Sequence, residues 1–204
     1  MQWVDCEFSG RDFRDEDLSR LRTERVVFDE CNFSGVNLAE SQHRGSAFRN
    51  CTFERTLLWH STFAQCSLLG SVFVQCRMRP MTFGEVDFTL AVLGGNDLRG
   101  VDLSGCRLRE TGLVETDLRK AVLRGADLSG ARTTGARLDD ADLRGAAVDP
   151  SLWTTAALSG AHVDVGQAVA FALAHGLRLD GGPDAEPGEP SQRLSRRRHR
   201  TIAE

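Results

Sequence analysis

Tyrosine is absent from the 204-residue chain, and lysine occurs once among its 25 basic residues. No two cysteines stand at C-x-x-C spacing, so the six present carry no zinc-finger or thioredoxin-like signature. Long apolar runs are missing: the longest, residues 168–174, falls far short of the roughly 20 residues that span a bilayer. No charged-then-apolar leader opens the sequence, which argues against secretion. No phosphate-binding loop, Ser/His/Asp cluster or isolated carboxylate pair stands apart, so the reading is a non-enzyme with no catalytic residue, metal or cofactor. A formal charge of −4 lacks the basic excess that direct nucleic-acid binding usually demands. These absences leave a soluble, cytoplasmic protein, 41% apolar and long enough to bury a real core.

What is present is a five-residue period. It is cleanest in Ala121-Val-Leu-Arg-Gly, Ala126-Asp-Leu-Ser-Gly and Ala141-Asp-Leu-Arg-Gly. Extended both ways, its third position is every fifth residue from Trp3 to Val163. Of these 33 positions 30 carry a large apolar side chain, Thr23, His43 and Thr133 being the exceptions. Five fits neither the helical 3.6 nor the strand period of 2. It fits a coil of five-residue sides, four to a square turn, which predicts an all-β solenoid of about eight coils over residues 1–164. At about 4.8 Å per coil the rod is roughly 39 Å long. Leu18, Leu38, Leu58, Met78, Leu98, Leu118, Leu138 and Leu158 then form one inner column. Phe8, Phe28, Phe48 and Phe13, Phe33, Phe53, Phe73 form two columns of stacked rings.

A second inward position lies two residues before each centre. All six cysteines occupy it, which makes them small buried hydrophobes with reduced thiols rather than metal ligands. His43, at a centre, reads as a packed neutral imidazole. Arg11 and Glu16 occupy inward small-residue positions within the charge-dense residues 11–25, which predicts a distorted first coil with room for a helical turn.

Trp3-Val-Asp-Cys-Glu-Phe, Ser41-Gln-His-Arg-Gly-Ser-Ala-Phe-Arg-Asn-Cys, Ala91-Val-Leu-Gly-Gly-Asn-Asp-Leu-Arg-Gly and the segment from Asp164 to Gly176 resemble the pentapeptide-repeat family. The resemblance implies a right-handed quadrilateral β-helix. It also implies a dimeric, rod-shaped mimic of duplex DNA that inhibits DNA gyrase and so protects against fluoroquinolones. A structural or interaction solenoid with a partner other than gyrase is the alternative, because fold does not fix function.

Charge tests the implied mimicry. A 39 Å duplex holds about 23 charges, whereas residues 1–164 hold 24 acidic and 19 basic side chains, net −5. Uniform imitation therefore fails, and any mimicry depends on sorting charge among sides. The side centred on Phe8 and Phe28 carries the acidic excess, the Phe13 and Leu18 sides are neutral, and the Trp3 side is slightly acidic. The candidate partner-binding residues are Glu85, Asp87, Asp102, Glu110, Asp127, Asp142 and Asp149, on two adjoining sides. Each also fits a plainer role, an Asp that shapes the corner and solvates the rod. A second candidate surface is the outward apolar group Val72, Val74, Val92, Gly94, Gly95, Gly112 and Val114, with Leu57 and Trp59 in the same class.

Residues 165–179 read as a capping and dimerisation helix of about 166–175, N-capped by Asp164 and ended by Gly176. Its circumference is nearly all apolar, so Ala168, Val169, Phe171, Ala172 and Leu173 predict a homodimer of rods joined end to end. Residues 180–204 combine a Gly/Pro/acidic linker with Arg193, Arg196, Arg197, Arg198 and Arg200, the composition of a disordered tail.

Overall fold

The computed structural model describes residues 1–179, so the tail expected at 180–204 lies outside the described residues. Residues twenty apart pair in parallel, from Gln2 with Arg22 to Asp142 with His162. Eight such steps stack into a right-handed quadrilateral β-helix, closed by two short helices. The four sides are numbered here by their centres: the first from Trp3, the second from Phe8, the third from Phe13 and the fourth from Leu18.

The corner explains the period. Every fifth residue from Asp5 to Gly160 has a φ between +49° and +72°, except Pro80, Pro150 and Thr155. This left-handed conformation turns the chain between sides, and it favours the Gly that recurs there, although Glu, Arg and Asp also take it. The interior is filled as the period requires. Phe13–Phe33, Phe33–Phe53 and Phe53–Phe73 stack with centroids 4.9, 5.0 and 4.6 Å apart. Phe8, Phe28 and Phe48 form the parallel column. The fourth-side column from Leu18 to Leu138 is buried throughout.

Two kinds of side share this register. Ten sides, all within residues 2–84, are three-residue strands. Their centres are Trp3, Thr23, His43 and seven phenylalanines. The remaining sides within the coil make a single bridging contact and then a turn. Phe13, Phe33 and Phe88 belong to this second kind, and each follows an Asp or Asn: Asp12, Asn32 and Asp87. In each the side-chain oxygen accepts the N–H two residues ahead, at 3.0–3.1 Å. That local bond draws the backbone into a turn and overrides the strand preference of phenylalanine. Every Leu-centred side turns as well.

Three expectations need correction. The first coil is regular, not helical. Arg11 leaves its inward place and lays its guanidinium over Phe8 and Phe13, 5.5 and 4.6 Å from the ring centroids, covering rings at the open end of the rod. Second, the coil is not uninterrupted to 164. Helix α1 (Pro150–Thr155) replaces one third-side segment, with Leu152 and Trp153 buried beneath it. Pro150 stands at a corner position, and its ring fixes φ near −65°, so the left-handed turn is closed to it and the helical start is open.

Third, adjacent coils do not hydrogen-bond uniformly. Among the described residues no backbone hydrogen bond joins 75–85 to 94–105, although pairing resumes at Phe73 N–H to Val92 O and at Arg107 N–H to Val86 O. The gap opens the first and fourth sides while the second and third stay laced. Pro80 sits at the corner within it, again where a left-handed φ is required and unavailable. Asn96 bridges one end: its Oδ1 accepts the Cys76 N–H at 3.1 Å, and its Nδ2 donates to Phe73 O and Leu93 O.

Helix α2 (Val165–Ala174) closes the far end. Asp164 and Gln167 form a reciprocal capping box. The Gln167 amide then donates to Leu143 O and Ala146 O of the last coils at 2.7 and 2.9 Å. No helix among the described residues is long and apolar enough to cross a membrane.

Candidate functional site

An Asp one residue before a centre has a built-in first task. Its Oδ1 accepts the N–H two residues ahead, as in Asp87 to Thr89, Asp102 to Ser104, Asp127 to Ser129 and Asp142 to Arg144. The other oxygen faces outward and is left for a neighbour, an arginine or a partner. One oxygen thus serves the turn and the other lies outside it.

The second oxygen divides the candidates. Asp87 meets Arg107 at 3.3 Å, and Asp127 meets Arg109 at 3.2 Å. Asp142 is held by Arg124 and Arg144 at 2.5 and 2.7 Å with its side chain only 13% exposed. Hydrogen bonds, first from Arg144 and then from Arg124, pull the Asp142 carboxyl well below the usual carboxylate range. The Asp127 carboxyl is lowered too, mainly by the Ser129 hydroxyl. Asp149 is occupied differently: its Oδ2 accepts the Gly130 N–H at 2.6 Å, standing in for a main-chain carbonyl that α1 carries away.

Glu85, Asp102 and Glu110 remain exposed and make no ion pair among the described residues. Glu85 and Asp102 stand on opposite lips of the gap in the ladder. A shallow groove of about 210 Å³ lies there, lined by Glu85, Val86, Asp87, Gly105 and Arg107. The seven candidates therefore spread over the first and second sides, with Glu85 at the corner between them. Asp102 and Asp142 lie beside the corner of the fourth and first sides, and Glu110 and Asp149 at or beside the corner of the second and third. Their free charge is concentrated in Glu85, Asp102 and Glu110. Of the outward group expected on the third side, Val74 and Val114 are about two-fifths exposed, Val72 and Val92 are half-buried, and Gly112 is buried beneath Arg132, while Trp59 on the fourth side is about two-fifths exposed.

At the apolar end, Ala170 and Ala174 pack toward the core and Gln167 is buried. Val169, Phe171 and Leu173 are 39, 40 and 55% exposed, Ala168 is exposed and Ala172 half-buried. Phe171 meets Trp153 edge-on at 6.2 Å. Together with Leu158, Val163 and Ala168 these rings line a groove of about 220 Å³.

His43 is buried between Phe48 and Phe63. Its Nδ1 pairs with the Thr23 hydroxyl at 2.8 Å and its Nε2 with Ser41 at 2.9 Å. Burial pushes its pKa down to about 3, so the ring is neutral. Burial likewise pushes the Cys51 thiol up to about 12 and those of Cys66 and Cys76 to about 11. Such thiols are poor nucleophiles and poor ligands at neutral pH. Sequence reasoning missed the gap, although Pro80 at a corner was its signal.

Models of pentapeptide repeats match residues 28–72, 87–125 and 121–147. The chain is 83% identical over 181 residues to the pentapeptide repeat protein MfpA of Mycobacterium tuberculosis, covering 89% of this chain and 99% of that one. MfpA of Mycolicibacterium smegmatis is 76% identical over 59 residues, 29% of this chain and 31% of that one. Full-length QnrB1, a plasmid-mediated fluoroquinolone resistance protein, shares the fold with a TM-score of 0.60 and 17% identity, over 87% of this chain and 100% of that one.

Proposed function

Since the chain belongs to the pentapeptide-repeat family, we propose that it is a cytoplasmic, DNA-mimicking inhibitor of DNA gyrase that protects the enzyme from fluoroquinolones. The observation that carries this reading is a stiff rod of eight coils with Glu85, Asp102 and Glu110 unpaired across two adjoining sides. A cationic groove built for duplex DNA would meet a rod whose unpaired negative charge lies on two adjoining sides. Long-range attraction then speeds encounter, while the arginine-paired aspartates contribute little. Quinolone protection follows because the drug acts on gyrase engaged with DNA, and the rod occupies that place. The resistance attributed to QnrB1 by its description is in keeping with this.

Two copies joined through α2 would extend the rod to about 80 Å and cover Val169, Phe171 and Leu173. Replacing both Phe171 and Leu173 with Asp is expected to give a folded monomer by light scattering, and a persistent dimer would remove this interface.

The central test is a supercoiling assay. Glu85→Lys, Asp102→Lys and Glu110→Lys combined are expected to weaken gyrase inhibition at least tenfold and to flatten its salt dependence, whereas Asp142→Asn changes it little. Unchanged potency in the triple variant moves the contact off these two sides. Absence of both inhibition and gyrase binding by the unaltered protein favours an interaction solenoid with another partner, for which the uncharged surface around Val74 and Val114 is available.

A further inference from the structure

The fourth side is neutral when summed along its length, but not turn by turn. On the turns centred on Met78, Leu98 and Leu118 it presents Arg77, Arg79, Arg99, Arg119 and Lys120 against only Asp97 and Asp117. Arg79, Arg99 and Arg119 hold the same place in successive turns. Asp97 is shared by Arg79 and Arg99 at 2.9 and 2.7 Å. Asp117 holds Arg119 at 2.6 Å, with Arg99 and Arg137 at 3.7 and 4.0 Å. Two carboxylates thus serve four guanidinium groups, and Lys120 has no acidic partner within ion-pair distance among the described residues. In a chain of net charge −4 this is a concentrated cationic surface.

It is also concave. Arg79, Arg99, Gly100, Arg119, Lys120 and Arg137 line most of a cavity of about 500 Å³, bounded at its far end by Asp139 and Asp140. A neighbouring cavity of about 560 Å³ shares Arg79, Arg99 and Gly100 and runs into the gap beside Pro80 and Met81. Missing backbone pairing therefore leaves room beside the arginine row. At Gly100 a Cβ would meet nothing within 4 Å, so the floor between the arginines is open.

We infer that this groove is a binding site for a chain of linked phosphates. Guanidinium forks repeated in successive turns can share the closely spaced oxygens of such a chain. A single small anion would be held by one or two of them. The asymmetry of the pairing supports this ligand, because Asp97 and Asp117 hold the forks of Arg99 and Arg119 by the Nε and Nη2 edge and leave Nη1 of each outside those bonds. All the groove's lining residues but Gly100 are charged, so recognition rests on the phosphates. Met81 and Pro80, in the adjoining cavity, offer apolar contact for a nucleoside.

The test is calorimetric titration of the full chain with inorganic tripolyphosphate at low salt, in three forms of the protein. These are the unaltered chain, Arg119→Ala with Lys120→Ala, and a chain with Arg193, Arg196, Arg197, Arg198 and Arg200 all changed to Ala. Saturable binding that weakens at least tenfold in the double variant and is retained in the tail variant is expected. Lys120→Ala alone, which breaks no ion pair, is expected to weaken it about threefold and guards against misfolding. Tighter binding of ATP than of tripolyphosphate assigns a nucleotide as the source of the phosphates, and the reverse order assigns an inorganic chain. No saturable binding, or binding lost in the tail variant and unchanged in the double variant, overturns the site. Gyrase enters none of these readouts, so this inference and the inhibitor reading fail separately.

Discussion

The two halves of the rod reach one register by different local means. From Gln2 to Gly84 most sides are short strands around stacked aromatic rings, with Cys, Ser or Thr at most of the small inward places and Leu21, Val26 and Val36 at others. From Asp87 to Ala147 no side is a strand. Each bridges once and turns, Leu fills the centre at all but Phe88 and Thr133, and Ala occupies the inward place from Ala121 to Ala146. Aromatic packing shapes the first half, and aspartate-directed turns shape the second. Where they meet, around Pro80, the lacing is open on two sides. The difference teaches that a solenoid's register belongs to its corners, while the sides between them can be built in more than one way.

The largest expected effect breaks an aromatic column. Phe53→Ala removes a fully buried ring between Phe33 and Phe73 and should cost about 4 kcal/mol, against about 3 for Leu118→Ala in the other half. Denaturant titration of both variants checks the order. Equal losses would mean that ring stacking adds nothing to the first half.

Acid should separate the halves next, because His43 lies in the first. Between pH 6.5 and about 3 the unfolded chain takes up a proton that buried His43 refuses. Stability therefore falls as pH drops through that window, by about 3 kcal/mol at pH 4 from this group alone. In His43→Phe, which continues the column of Phe63 and Phe83, that part of the slope should vanish. An unchanged slope from pH 6 to 4 would place the acid sensitivity elsewhere.

Removing one turn-directing carboxylate is a smaller change. Asp127→Ala deletes the acceptor for the Ser129 N–H and hydroxyl and should cost about 1 kcal/mol. Thr62→Ala, on a strand side with no such bond, should cost less. The subtlest comparison concerns the junction itself. Amide exchange at Met78, Phe83 and Asp102 should outpace that at Leu58, Phe63 and Val122, whose counterparts are laced. In Pro80→Asn, which can take the left-handed corner, the difference should shrink.

Most of the fold was legible because corner, centre and small inward place repeat without slip, and each carries a physical demand on residue type. The breaks were legible in principle: Pro80 and Pro150 both stand where the corner demands a positive φ. Counting spacing alone passes over them, since neither shifts the twenty-residue register. The candidate surface was only half readable. Spacing assigns Asp142 to an outer edge, but its two arginines come from positions eighteen residues before it and two after it, and only the folded coil brings the first of these alongside. Summing charge along the fourth side likewise concealed Arg79, Arg99 and Arg119 behind the acids of other turns.

The corner has a consequence for how such a molecule can change. One five-residue insertion after Gly105 would keep every core place filled, yet would swing all that follows by a quarter revolution, carrying Glu110 away from Glu85. Four insertions would restore the alignment and leave a taller molecule. Length and azimuth are thus set by the same short genetic unit, and a lineage can dial either without relearning how to fold.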